Sequence, residues 1–329
     1  MTMVIGRSAK LLVTGALAGL LLAGCASGPG QAGSAAIVDG NAISLDSVQA
    51  ELNNFLANPP AAAAGQQING ADEARAILSY AVLDQIDNAA VAKYHLNIPP
   101  QAVSELTDAN GGLDKAAKSL GYSTAETQMI LRDQVVQLVY ANQYISKYQI
   151  TYDELTLPSQ QAASTLAQKL AADPANSHSV LSSAATAVGG QPVFGGLFTG
   201  GQIVSQQSNA NQQAQQSGSQ SAGSILPLFA AKSNSVLTFP IDPSDWAVLV
   251  VHSANTNGKP SASDQAALSG ADPNVLYQSG LFLLTSVAQS MNIKVSPRYG
   301  VWDSIGMKVV ATAGASGSQF LNKTPPAAS

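Results

Sequence analysis

The chain has 329 residues, with 15 Lys and Arg against 20 Asp and Glu, and a formal net charge of −5. This acidic balance argues against nucleic acid as a partner, and a single cysteine, Cys25, rules out an intrachain disulfide. Charged residues are only 11% of the chain, so its surface must be mostly neutral and polar, and its length suits one large or two modest domains.

At the amino terminus Arg7 and Lys10 precede an apolar run from Leu11 to Leu22, which leads into Leu22-Ala23-Gly24-Cys25. The run is about a dozen residues, short of the roughly 20 needed to cross a bilayer, and reads as a signal peptide. Its ending resembles the bacterial lipobox, which implies removal of residues 1–24 and acylation of Cys25. The alternative is an ordinary secretory signal cut near Ala26. Loss of Arg7 and Lys10 leaves 13 basic residues against 20 acidic ones in the mature body. A diacylglyceryl group on Cys25 anchors firmly where a single acyl chain binds only marginally, so the expected location is outside the cytoplasm, on the bacterial cell membrane.

Residues 25–35 are rich in Gly and Ser and read as a flexible tether. Next, Ala36-Ile37-Val38, a turn through Asp39-Gly40-Asn41, and Ala42-Ile43-Ser44 predict a small hairpin. Ser44 then caps a helix with Leu45, Val48, Leu52, Phe55 and Leu56 on one face, stopped by Asn58-Pro59-Pro60. A second helix is predicted from about Asp72 to Tyr94. Asp84 and Asp87 lie three apart on it, a spacing read here as a solvated face. Short helices follow from Pro100 and from Leu113, and Ser123 or Thr124 caps a long helix to about Tyr148. Residues 36–148 thus form a mostly helical unit.

From Gln149 the pattern changes to a strand over 150–157, a helix over 159–172 and another over 180–188. Pro192-Val193-Phe194 is strand-like, and Gly195 to Gly201 reads as a glycine-rich turn without the lysine of a phosphate loop. A Gln, Ser and Asn insert over 205–223 is expected to be a mobile loop. A strand over 246–251, a polar linker over 256–273, a helix over 274–291 and strand-like residues 293–302 complete the order. The tail over 311–329 has a disordered composition. His95, His178 and His252 are far apart and lack metal-ligand spacing, so they read as surface or boundary residues, with no metal and no cofactor expected.

The run Val38-Asp39-Gly40-Asn41-Ala42-Ile43-Ser44 before an amphipathic helix resembles the opening of the SurA and PrsA extracytoplasmic foldases. Leu120-Gly121-Tyr122-Ser123 with Ile130-Leu131-Arg132-Asp133-Gln134-Val135 is similar to that family's last amino-terminal helix, and Val295-Ser296-Pro297-Arg298-Tyr299-Gly300 to its returning strand. The resemblance implies an α+β fold. A helical chaperone domain (36–148) would be completed by residues 274–305, with a parvulin-like domain inserted at 149–255. A parvulin site needs histidines on its first and last strands, a Cys or Asp nearby, and a Met-Phe pair in the wall. Here the first strand has no histidine, Ala247 stands at the last-strand position, Phe229 fits the wall, and Ile225 takes the methionine's place.

Prolyl isomerisation must lower a barrier of about 18–20 kcal/mol in a preorganised pocket. The resemblance therefore implies a degenerate isomerase with no catalytic residues. Phe229, Ile225, Tyr299 and Trp302 are the peptide-binding candidates. The expected function is a membrane-anchored chaperone for unfolded or exported polypeptides. The alternatives are an assembly lipoprotein that holds one envelope partner, and an active prolyl isomerase.

Overall fold

In a computed structural model, residues 33–63, 67–217, 224–241, 245–312 and 321–322 are described. The signal segment and Cys25 lie outside these residues. None of the described helices is long and apolar enough to cross a membrane.

β1 (Ser34–Val38) takes in Ser34 and Ala35, assigned to the tether by composition, because Ala35 is small, apolar and fully buried. Asp39 and Gly40, both at positive φ, turn the chain into β2 (Asn41–Ser44). The Ser44 hydroxyl accepts the Asp46 N–H and starts α1 (Leu45–Ala57). Asn69 caps α2 (Gly70–Tyr94) in the same way. Three further helices, α3 (Pro100–Ala109), α4 (Leu113–Leu120) and α5 (Thr124–Tyr144), complete the front half, with α5 capped by Ser123.

The middle of the chain supplies β3 (Gln149–Leu157), α6 (Gln160–Ala172), α7 (Ser177–Val188), β4 (Val193–Thr199) and α8 (Gly200–Ser217). β5 (Ser235–Pro240) and β6 (Trp246–Asn255) follow. The last third holds α9 (Ala262–Ser269), α10 (Pro273–Leu283), α11 (Thr285–Ala288), β7 (Ile293–Val295), β8 (Val301–Asp303), β9 (Lys308–Val310) and β10 (Leu321–Asn322). β7 returns to the front half and pairs antiparallel with β1, Lys294 opposite Ile37. The large sheet runs β10-β5-β6-β3-β4, and β8 and β9 form a separate hairpin.

Strand alternation divides the large sheet's side chains between two cores. Leu155, Leu157, Val248 and Val250 face α6 and α7. Ile150, Tyr152, Leu249 and Val251 join one continuous core with Leu78 and Ile86 of α2, Tyr140 of α5 and Leu283 of α10. Front half and sheet therefore share their interior. Every buried apolar residue described lies between Ala35 and Val309, so the chain from residue 33 onward carries its own core.

Several local expectations are corrected. Residues 205–217 of the Gln-rich insert are helical, because Ile203 and Val204 anchor α8 in the core while Gln207 Oε1 accepts the Ile225 N–H at 3.0 Å. The 256–273 linker contains α9, fixed by a reciprocal capping box between Ser261 and Asp264. Gly195 and Gly196 lie within β4. Gly195 takes a positive φ at an irregularity in the pairing with β3, and a side chain at Gly196 would strike the Tyr152 ring. In the tail, Leu321 and Asn322 pair with β5.

Candidate functional site

α2 presents two sides of different chemistry. On one, Ser79 donates its hydroxyl to the Arg75 carbonyl and accepts the Val309 N–H at 2.8 Å, which ties β9 to the helix. This contact also satisfies an N–H that β9 would otherwise aim outward. The hairpin turn is held by Asp303 Oδ1, which accepts the N–H groups of Ile305 and Gly306. Between α2, α10 and the hairpin lies a groove of about 580 Å³ lined by Ala76, Tyr80, Leu83, Leu281, Met307 and Val310. Its rim carries the Asp72–Arg75 ion pair and Lys308.

A neighbouring hollow of about 410 Å³, walled by Phe55 and Ile68, shares Asp72 and Ala76 with the groove. Together they make a trough along α2. Burial, with the nearby Glu73 carboxylate, raises the Tyr80 phenol above its ordinary value and keeps it neutral.

The four peptide-binding candidates do not line this trough. Phe229 is buried with its ring 5.0 Å from Tyr148, and Ile225 is half-buried beside the same core. Tyr299 is buried and Trp302 half-buried, and all four pack against the shared core. Ala247 is fully buried between Thr156 and Phe239. Of the histidines, His252 Nε2 sits 3.0 Å from Asp153, whose other oxygen accepts the Gly195 N–H. His178 stacks on Phe194, and His95 ends α2 in a left-handed conformation.

The other side of α2 overturns the solvated-face reading of Asp87. That residue is 1% exposed and packs against α5, where Gln137 Nε2 donates to its Oδ2 at 3.0 Å. Its Oδ1 has no hydrogen-bond partner among the described residues. Asp133 of α5 is also buried, and Arg132 reaches Asp133, Asp84 and Asn88. Burial, then the Asp84 charge, pushes the Asp133 carboxyl up to about 8. Burial, then the Asp133 charge, raises Asp87 well above the ordinary range. Glu126 is pushed to about 7 by burial and by Glu51. One arginine thus faces a seam of acids. The clue in the sequence is that Asp87 falls on the Leu83–Ile86–Ala90 stripe.

The fold and site define an α+β protein with an apolar trough on its central helix. No family model matches the chain, and no curated protein sequence does. Among solved structures it is similar to the foldase protein PrsA from Lactococcus lactis. The two are 13% identical, the match covers 80% of this chain and 94% of that one, and the TM-score is 0.27.

Proposed function

We propose that the chain is a membrane-anchored extracytoplasmic chaperone that holds unfolded or exported segments in the trough along α2, without prolyl isomerase chemistry. The observation that carries this reading is the apolar groove between the front half and the β8–β9 hairpin. The anchor rests on the lipobox at Cys25. The lack of isomerase chemistry rests on Ala247 at the histidine position, and on Phe229 and Ala247 being packed into the shared core, where no twisted amide can enter.

The chain from residue 33 onward should suppress aggregation of several unrelated unfolded proteins. If it protects none and instead co-purifies with one stoichiometric partner, the assembly-lipoprotein reading replaces this one. Ala76→Glu places a charge on the trough floor at a half-buried helical position. Its expected effect is a loss of about tenfold or more in affinity for an unfolded client, about 1.4 kcal/mol, with the melting temperature nearly unchanged. Unaltered affinity would remove the trough from the reading. In a proline-peptide assay the same chain should leave isomerisation at its uncatalysed rate, and parvulin-like turnover would refute the non-catalytic assignment.

A further inference from the structure

The large sheet ends on one side at β4, which pairs with β3 and, among the described residues, with no strand beyond it. Val188, Val193, Phe194 and Leu197 are four of the six exposed large apolar side chains described, so this margin is the most apolar part of the described surface. No Asp, Glu, Lys or Arg stands between Asp173 and Lys232. An exposed, uncharged edge strand is a template for the same strand of another copy, because two such edges laid antiparallel about a two-fold axis offer each other the same groups. Charge on the edge, one ordinary safeguard, is missing here.

The backbone supplies the safeguard instead. Gly200 donates its N–H to the Tyr148 carbonyl at 2.9 Å, which sets the phase of the β3–β4 ladder. Phe198 and Gly196 therefore turn their polar backbone groups toward β3, while Thr199, Leu197 and Gly195 fall in the outward row. The two ends of that row are already taken. Gln202 Oε1 accepts the Thr199 N–H at 2.9 Å and the Thr199 hydroxyl accepts the Gln202 N–H, a reciprocal pair that starts α8. Asp153 Oδ1 accepts the Gly195 N–H at 2.8 Å. That bond is possible because Gly195 adopts φ of +62° at the irregularity in the pairing, which swings its N–H back over the sheet. Asp153 is buried on β3, and its second carboxylate oxygen lies 3.0 Å from His252 Nε2, so the carboxylate is held in place. Leu197 alone keeps an outward N–H, and one N–H does not make a ladder.

We propose that Asp153 locks the β4 edge: by drawing the Gly195 N–H out of the outward row, it keeps this apolar strand from pairing with β4 of a second copy. Sedimentation velocity over a range of concentrations tests this on the chain from residue 33 onward. Asp153→Ala should self-associate about tenfold or more tightly than the unaltered chain. Asp153→Asn keeps an oxygen that accepts the Gly195 N–H and should behave as the unaltered chain does. Adding Leu197→Lys to Asp153→Ala should reverse the association, because it sets a charge in the middle of the edge. The proposal is overturned if folded Asp153→Ala associates no more than the unaltered chain, if Asp153→Asn associates as strongly as Asp153→Ala, or if Leu197→Lys leaves the association intact. Amide hydrogen exchange of the unaltered chain gives a reading that needs no variant. Gly195 and Thr199 should exchange slowly and Leu197, between them, fast. A Gly195 amide that exchanges as fast as that of Leu197 overturns the proposal as well. Neither measurement involves client binding in the trough.

Discussion

Gly280→Ala is expected to lower the melting temperature by about 5 °C and to abolish client binding in the trough. Helix propensity alone predicts the opposite sign, since alanine within a helix is favoured over glycine by about 0.5–1 kcal/mol. Packing decides against it. Gly280 is where α10 crosses α5, and a Cβ there would run into the backbone carbonyl of Gln137 and stand 3.2 Å from the Ala141 Cβ. The obstacle is backbone within a central helix, which cannot swing aside as a side-chain tip can. Overpacking of this kind costs about 3 kcal/mol, at the upper end of the usual range, which for a chain of this size corresponds to about 5 °C. Leu281, the next residue, forms part of the groove wall, so displacing α10 opens the trough. Gly270→Ala is the control, because its Cβ would meet only the Ala266 carbonyl oxygen, at 3.7 Å. Equal melting temperatures for the two variants would show that the α5–α10 crossing is looser than this geometry.

What could be read in the sequence follows from how local the determining physics is. The starts of α1 and α5 were legible because Ser44 and Ser123 announce them as caps. The first hairpin was legible from its Gly40–Asn41 turn signal, although the positive φ falls at Asp39 and Gly40 and Asn41 begins β2. α8 was not, since composition counts its glutamines as polar whereas Ile203, Val204 and Gln207 are held by distant partners. The trough was half legible. Its α2 wall lies within a predicted helix, but its hairpin wall depends on a tertiary contact, Ser79 to Val309, separated by 230 residues. Asp87 was misread for a related reason. Three-residue spacing of acids looks solvated until the helix proves to be enclosed on several sides, and only the position of Asp87 among Leu83, Ile86 and Ala90 hints at that.

That enclosed seam makes stability depend on pH, and Asp133→Asn should remove much of the dependence. The groups that face one another are Asp84 and Asp87 from α2, Glu126, Arg132 and Asp133 from α5, and Glu51 from α1. The folded chain holds the Asp133 proton up to about pH 8, whereas the unfolded chain releases it near the ordinary carboxylate value of 3.8. Between those limits the folded state binds more protons, so stability falls as pH rises and the loss is complete above about pH 8. The raised carboxyl of Glu126 adds to this slope up to about pH 7. Asp264 has the opposite sign, since hydrogen bonds from Ser261 and Thr199 outweigh its burial and lower it, so its contribution is lost only in acid. Melting curves from pH 5 to 9 isolate the seam. The unaltered chain should lose several degrees across that range, corresponding to a few kcal/mol. Asp133→Asn should melt higher than the unaltered chain at pH 8.5 and nearly equal to it at pH 5, because the amide stays neutral and Arg132 keeps Asp84 and Asn88. A pH-independent melting temperature, or an equal shift at both pH values, would show that these acids find solvent in the folded chain. Because α2 carries the seam on one side and the trough on the other, client affinity should fall with stability as the pH rises to about 8, and Asp133→Asn should retain it.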